Sequence, residues 1–121
     1  MPKIISFAWT TEPLLSGRKT RTRRKWSDKY ANRFKVGDVC YAYDRQPRFK
    51  GKKVAEIKIT SIKKEDISLA TKEDYELEGF KYMEKHGLKI WGKEPADAFN
   101  EWVEEGGEYW VVDFELTKVC D

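Results

Sequence analysis

The run Ser16-Gly17-Arg18-Lys19-Thr20-Arg21-Thr22-Arg23-Arg24 holds the side chains best suited to chemistry in this chain. A lysine among four arginines has its ammonium disfavoured by like charge, and partial burial would lower its pKa further, which makes it a usable base. A hydroxyl beside it, Thr20 or Thr22, can then be activated as a nucleophile without histidine. Spacing adds a condition. In an extended strand Lys19 and Thr22 point to opposite faces, whereas positions three apart come together in a helical turn or bend. A Lys19–Thr22 dyad therefore predicts that the chain turns here, which Gly17 allows. The competing reading of the same residues is a basic stripe that binds phosphate and performs no chemistry.

Other chemistries have little material. The one histidine, His86, precedes Gly87 at a predicted helix end and reads as a helix-terminal or surface residue. No Walker loop, GxGxxG or GxSxG motif is present. Cys40 and Cys120 lie 80 positions apart without CxxC or Cys/His spacing, so no metal site, disulfide framework or cofactor is implied, and the cytosol is the expected compartment.

The net charge of +3 conceals a division. Up to Lys64 there are 18 Lys/Arg against 5 Asp/Glu, and beyond it 6 against 16. The densest cluster, Arg18, Lys19, Arg21, Arg23, Arg24 and Lys25, predicts a surface for a polyanion, unless it pairs with the acidic second half. A second group, with Arg45, Arg48, Lys50, Lys52 and Lys53, follows Tyr41 and Tyr43 and encloses Phe49. Cations interleaved with rings suit a nucleic acid or nucleotide, meeting phosphates while the rings stack on bases.

The elements that must position these residues follow from periodicity and caps. At 121 residues and 40% hydrophobic side chains the chain suits one domain, 1–121, with a very polar surface, since 37% of its residues are charged. Its longest charge-free run is the eight residues Ile4 to Thr11, far short of a membrane span. Strands are predicted at Lys3–Ala8, Val39–Tyr43, Lys52–Lys63 and Tyr109–Leu116. A short helix capped by Thr10 or Thr11 ends at Gly17, and Trp26 to Phe34 reads as irregular. A capping box of Thr71 and Asp74 opens a helix to Lys85, with Leu77, Phe80 and Met83 as its core stripe and Glu78 on the opposite side near Tyr75 and Tyr82. A last helix runs from Pro95 or Ala96 to Glu104, burying Ala98, Phe99 and Trp102. The class is α+β, built on a small, mostly antiparallel barrel or curved sheet.

Gly17-x-Lys19-x-x-Thr22-x-Arg24, with Phe34-Lys35-Val36-Gly37-Asp38-Val39, Glu78-Gly79-Phe80 and Trp110-Val111-Val112-Asp113-Phe114-Glu115, resembles the ASCH family of the PUA-like superfamily, in the expected order. The resemblance implies a small mixed β-barrel flanked by helices, associated with RNA. Thr22 stands where many ASCH members have glutamate, and in this the chain resembles the small bacterial enzymes that hydrolyse N(4)-acetylcytidine to cytidine and acetate. The resemblance implies a catalytic group of Lys19, Thr22 and Glu78. In it Thr22 attacks the acetyl carbon or orients water, Lys19 transfers the proton, and Glu78 holds the lysine. Arg24 would be an anion clamp, and Tyr41 or Tyr43 a stacking surface. The implied partner is RNA or a modified nucleoside. Other ASCH members are ribonucleases or RNA-binding modules, and these are the alternatives.

Overall fold

The backbone is organised by one long antiparallel pair, which a computed structural model describes over residues 3–120. β4 (Lys53–Asp66) and β5 (Glu108–Val119) run side by side from Ala55↔Val119 to Asp66↔Glu108. Ala55, Ile57 and Ile59 alternate inward along β4, as a half-buried strand requires. Register shifts at Glu56/Ile57 and Ile59/Ser61 bend the pair. Val111 and Val112 are both buried, so β5 is covered on both faces at that point, where strict alternation had predicted one.

Around this pair the sheet has the order β1-β3-β4-β5-β2. β3 (Val39–Tyr43) is antiparallel to β4, and β1 (Ile4–Ser6) is parallel to β3. β2 (Arg21–Arg24) pairs with β5 through Thr22↔Val112 and its neighbours. The mostly antiparallel α+β reading holds, but the sheet does not close into a barrel. β1 and β2 are its two edges, and no ladder joins them among the described residues. That gap is where the cavities described below lie. The sheet's inner face is filled by Ile5, Phe7, Leu14, Phe34, Ile57, Ile59 and Phe114.

The first two helices pack on the sheet, and the later helices form a second packing unit. α1 (Thr11–Leu15) follows a 3-10 turn at Ala8–Thr10, and Pro13 and Leu14 are its buried side chains. Trp26 to Phe34 is more regular than predicted. Ser27 accepts from the Tyr30 N–H and caps a single turn, α2 (Asp28–Ala31). Phe80, Met83, Ile90 and Phe99 make the helical core.

The helix predicted from Thr71 to Lys85 is two. The capping box of Thr71 and Asp74 opens α3 (Lys72–Leu77), which ends at Glu78, and α4 (Phe80–Lys85) begins after Gly79. Gly79 sits at φ +97°, a left-handed backbone that stops a helix. This break takes Glu78 off the projected face beside Tyr75 and Tyr82 and buries it. α5 (Pro95–Glu105) buries Phe99, and β5 extends beyond both predicted ends. His86 is the exposed C-cap of α4, as expected of a helix-terminal histidine. Among the described residues no helix is long and apolar enough to cross a membrane.

Candidate active site

Three chain segments converge beside β2. The backbone N–H of Lys19 donates to Pro13 O of α1 at 3.1 Å, and that of Thr20 donates to Leu77 O of α3 at 2.9 Å. The Phe114 N–H donates to Thr20 O at 3.0 Å. These bonds pin Lys19 against the α3–α4 break. A Cβ on Gly79 would lie 2.8 Å from Pro13 Cβ and 3.3 Å from Lys19 Cβ, so only glycine allows the two segments to approach so closely.

Lys19 is 2% exposed, and all three of its ammonium donors find acceptors: Arg21 O and Glu78 O at 2.8 Å and Glu78 Oε1 at 3.2 Å. A side chain lining an open cleft would not be so enclosed, and its removal would cost stability. Burial pushes the ammonium down to about 8; Glu78 opposes that fall, while Arg24 and Arg23 add to it. The like-charge cause expected from the sequence is present, but burial is the larger one.

Glu78 is buried between two cations, its second oxygen accepting from Arg23 Nη1 at 2.8 Å. Arg23 continues to Asp74 at 2.8 Å and Glu65 at 3.2 Å. Arg21 pairs with Asp113 at 2.6 Å and Asp74 at 2.7 Å, and Arg18 pairs with Glu76. The cluster expected as a polyanion surface is therefore largely neutralised within the fold by carboxylates of the acidic half. Lys25 is exposed, its ammonium 4.9 Å from the Tyr109 ring centre. Arg24 differs from its neighbours. No carboxylate lies within ion-pair distance of it among the described residues. Its Nε donates to Thr22 Oγ1 at 3.1 Å and its guanidinium lies 5.2 Å from the Phe7 ring centre.

Lys19, Thr22, Arg24 and Glu78 line one cavity of about 400 Å³, a size that suits a small molecule. The bend expected for a Lys19–Thr22 pair is absent within Arg21–Arg24, which is a strand. Lys19 instead stands outside the strand, and its side chain reaches back to Arg21 O. Four aromatic side chains that the sequence had not placed there also line the cavity: Phe7 and Trp9 after β1, Phe80 of α4 and Trp102 of α5. Phe80 and Trp102 were predicted as helix core, which they also are, and Trp9 carried no periodic signal. Tyr41 and Tyr43 do not line this cavity. Tyr41 lies on β3 beneath the Lys53 ammonium, 3.7 Å from its ring centre, and Arg45 is exposed in the loop after β3. Among the described residues no group of three or more His, Cys, Asp or Glu is disposed to hold a metal ion.

No family model matches the sequence, and no curated protein matches it. Solved structures do. The crystal structure of protein EF3133 from Enterococcus faecalis V583, described by the family model DUF984, superposes with a TM-score of 0.61 at 17% identity, covering 98% of this chain and 78% of that one. The crystal structure of a point mutant of ZmASCH from Zymomonas mobilis superposes with a TM-score of 0.52 at 11% identity, covering 93% of this chain and 67% of that one. At these identities the likeness is one of backbone arrangement, and it establishes that this chain has an ASCH-like fold.

Proposed function

We propose that the cavity binds a modified nucleoside and hydrolyses an exocyclic amide on its base, with N(4)-acetylcytidine as the substrate. The observation that carries this reading is the Thr22 hydroxyl. It is buried on the cavity wall, its oxygen accepts from the unpaired cation Arg24, and the base candidate Lys19 lines the same space. A hydroxyl that accepts from a cation keeps its own proton to give away, and its developing negative charge is stabilised where it forms.

The resemblance to N(4)-acetylcytidine hydrolases supplies the substrate, and the geometry supports a metal-independent route. With a pKa near 8, roughly one Lys19 in ten is neutral at pH 7. The neutral amine takes the Thr22 proton as Thr22 Oγ1 bonds to the acyl carbon, and the carbonyl electron pair moves onto oxygen beside Arg24. On collapse the C–N bond breaks, Lys19 returns the proton to the departing base nitrogen, and the acetyl group remains as a Thr22 ester. Water then attacks that ester with Lys19 again accepting a proton. The ester C–O bond breaks, Lys19 returns its proton to Thr22 Oγ1, and the acetic acid released loses a proton to solvent to become acetate. Glu78 holds the ammonium through each protonated stage. Trp9, Phe80 and Trp102 give the base an apolar wall to lie against.

The test is chromatography of N(4)-acetylcytidine incubated with purified protein, beside Thr22→Val, Thr22→Ser and Lys19→Met. Cytidine and acetate in equal amounts from wild type, retained in part by Thr22→Ser and lost in the other two, is the expected result. No cytidine from folded wild-type protein would overturn the amidase reading and leave RNA cleavage or non-catalytic RNA binding, both read by their salt dependence.

A further inference from the structure

The open gap between β1 and β2 holds a second hollow of about 360 Å³. Ser6 and Arg24 border both hollows, so the second continues the first along the sheet's unpaired edges. Its far side is formed by Trp26, Tyr30, Gln46 and Arg48.

Two arginines without a carboxylate partner, Arg24 and the exposed Arg48, border this hollow. Arg18, Arg21 and Arg23 are each matched to carboxylates, whereas Arg24 and Arg48 have none within ion-pair distance among the described residues. No acidic residue lines the hollow. Each guanidinium lies near an aromatic ring, Arg24 by Phe7 at 5.2 Å and Arg48 by Phe49 at 4.9 Å, which holds it without neutralising it. Arg24 carries this charge against its burial, which pushes its guanidinium down to about 10. Ser6 and Gln46 add neutral donors. Trp26 is stacked on Phe34 at 4.4 Å and set edge-on to Tyr30 at 5.2 Å, a braced apolar wall.

We infer that this second hollow binds a phosphate ester of the same ligand at its Arg48 end, so that the molecule recognised is a nucleotide rather than a free nucleoside. The inference rests on reading the first cavity as a nucleoside site. The Arg48 guanidinium fork matches two oxygens of a terminal phosphate or of a phosphodiester, while Arg24, at the junction of the two hollows, stays with Thr22 and the acyl group. Trp26 then faces the sugar between base and phosphate.

Binding distinguishes this from the amidase reading, because it needs no turnover. Cytidine, cytidine 5′-monophosphate, inorganic phosphate and a cytidine-containing trinucleotide are titrated calorimetrically into the intact protein and into Arg48→Gln. The monophosphate is expected to bind about tenfold or more tightly than cytidine, as a charged hydrogen-bonded pair would give, and Arg48→Gln should bring that ratio close to one. Full gain with the monophosphate identifies a terminal phosphate, and further gain with the trinucleotide identifies an internal phosphodiester. Equal affinities for cytidine and its monophosphate, or a ratio indifferent to Arg48→Gln, would overturn the inference even where N(4)-acetylcytidine is hydrolysed. A ratio that depends on Arg48 sustains it even where no amide is cleaved.

Discussion

Lys19 and Glu78 meet through both the backbone and the side chain of the glutamate, the ammonium lying 2.8 Å from its carbonyl oxygen and 3.2 Å from its carboxylate. The backbone contact fixes where the ammonium sits, and the carboxylate sets its charge. Burial pushes Lys19 down to about 8 and Glu78 opposes that fall, so the proposed base gains its neutral form as pH rises through 8. The rate of amide hydrolysis, followed as kcat/KM, is expected to climb up to about pH 8 and then level. Glu78→Gln removes the opposing influence and should move the midpoint to lower pH. A midpoint that stays where it was, or a rate that declines through pH 8, would end the case for Lys19 as the base.

The same pair makes an asymmetric prediction about stability. Lys19→Met leaves Glu78 with its 2.8 Å partner Arg23 and orphans two backbone carbonyls, a loss of about 1–3 kcal/mol. Glu78→Ala leaves both Lys19 and Arg23 buried without that carboxylate, a loss of about 3–5 kcal/mol. Urea denaturation of the two variants should therefore rank Glu78→Ala as the weaker protein. The reverse order would mean that the lysine, and not the carboxylate, holds the knot together.

Gly79 and Gly87 separate backbone conformation from close approach. Both have positive φ, +97° and +66°, but an added Cβ meets Pro13 and Lys19 at Gly79 and nothing within 4 Å at Gly87. Gly87→Ala should cost about 1–2 kcal/mol, the left-handed penalty alone. Gly79→Ala should cost about 1–3 kcal/mol more through overpacking, and should also depress activity by displacing Lys19. Equal losses in denaturation at the two sites would show that the α3–α4 junction yields without strain.

The parts of this architecture visible in the sequence are those governed by local rules. Val39–Tyr43 and the Thr71–Asp74 cap depend on neighbouring residues and were placed where they occur. Lys58, Lys63 and Lys64, the basic residues that break the apolar alternation of β4, are exposed. The helix break was missed because amphipathic spacing runs unbroken from Leu77 through Phe80 to Met83, and that spacing outweighed a glycine in the middle of the pattern. Gly79 was the available signal. Once the helix ends there, Glu78 no longer obeys the 100° projection that had set it beside Tyr75 and Tyr82. The division of charge along the chain hinted that the basic cluster would pair internally, but which carboxylate meets which arginine depends on the packing of α3 against β2. Trp9 and Trp102 come together at one wall only through the fold.

Asp74 ties the basic strand to the helix that carries Glu78, and it should dominate part of the acid response. Its Oδ1 accepts from Arg21 at 2.7 Å and Arg23 at 2.8 Å, while Oδ2 accepts from the Thr71 N–H at 2.8 Å. Burial alone would raise its pKa, but the Thr71 N–H and the two guanidiniums together hold it well below the usual carboxylate range. Because the folded value lies below the unfolded one, the stabilisation is complete above about pH 4 and drains away as pH falls below it. The denaturation midpoint of wild type should exceed that of Asp74→Asn at pH 6, with the difference narrowing towards pH 2. A difference that stays constant over that range would mean the carboxylate's charge contributes nothing to the fold.

Trp9 offers a way to test the cavity's aromatic wall without disturbing its charges. It is 44% exposed, lies on the 3-10 turn after β1, and sets its ring edge-on to Phe80 at 5.8 Å while lining the cavity. A side chain this open contributes little to the core, so Trp9→Ala should leave the denaturation midpoint nearly unchanged. Its loss should still weaken nucleoside binding about tenfold, since an aromatic face stacked on a base contributes about 1–3 kcal/mol. Trp9→Phe should restore most of the affinity, because a ring suffices for stacking, whereas Trp9→Leu should not. Affinity restored equally by leucine would reduce the wall to a hydrophobic filler, and affinity unmoved by Trp9→Ala would put the base elsewhere than against this ring.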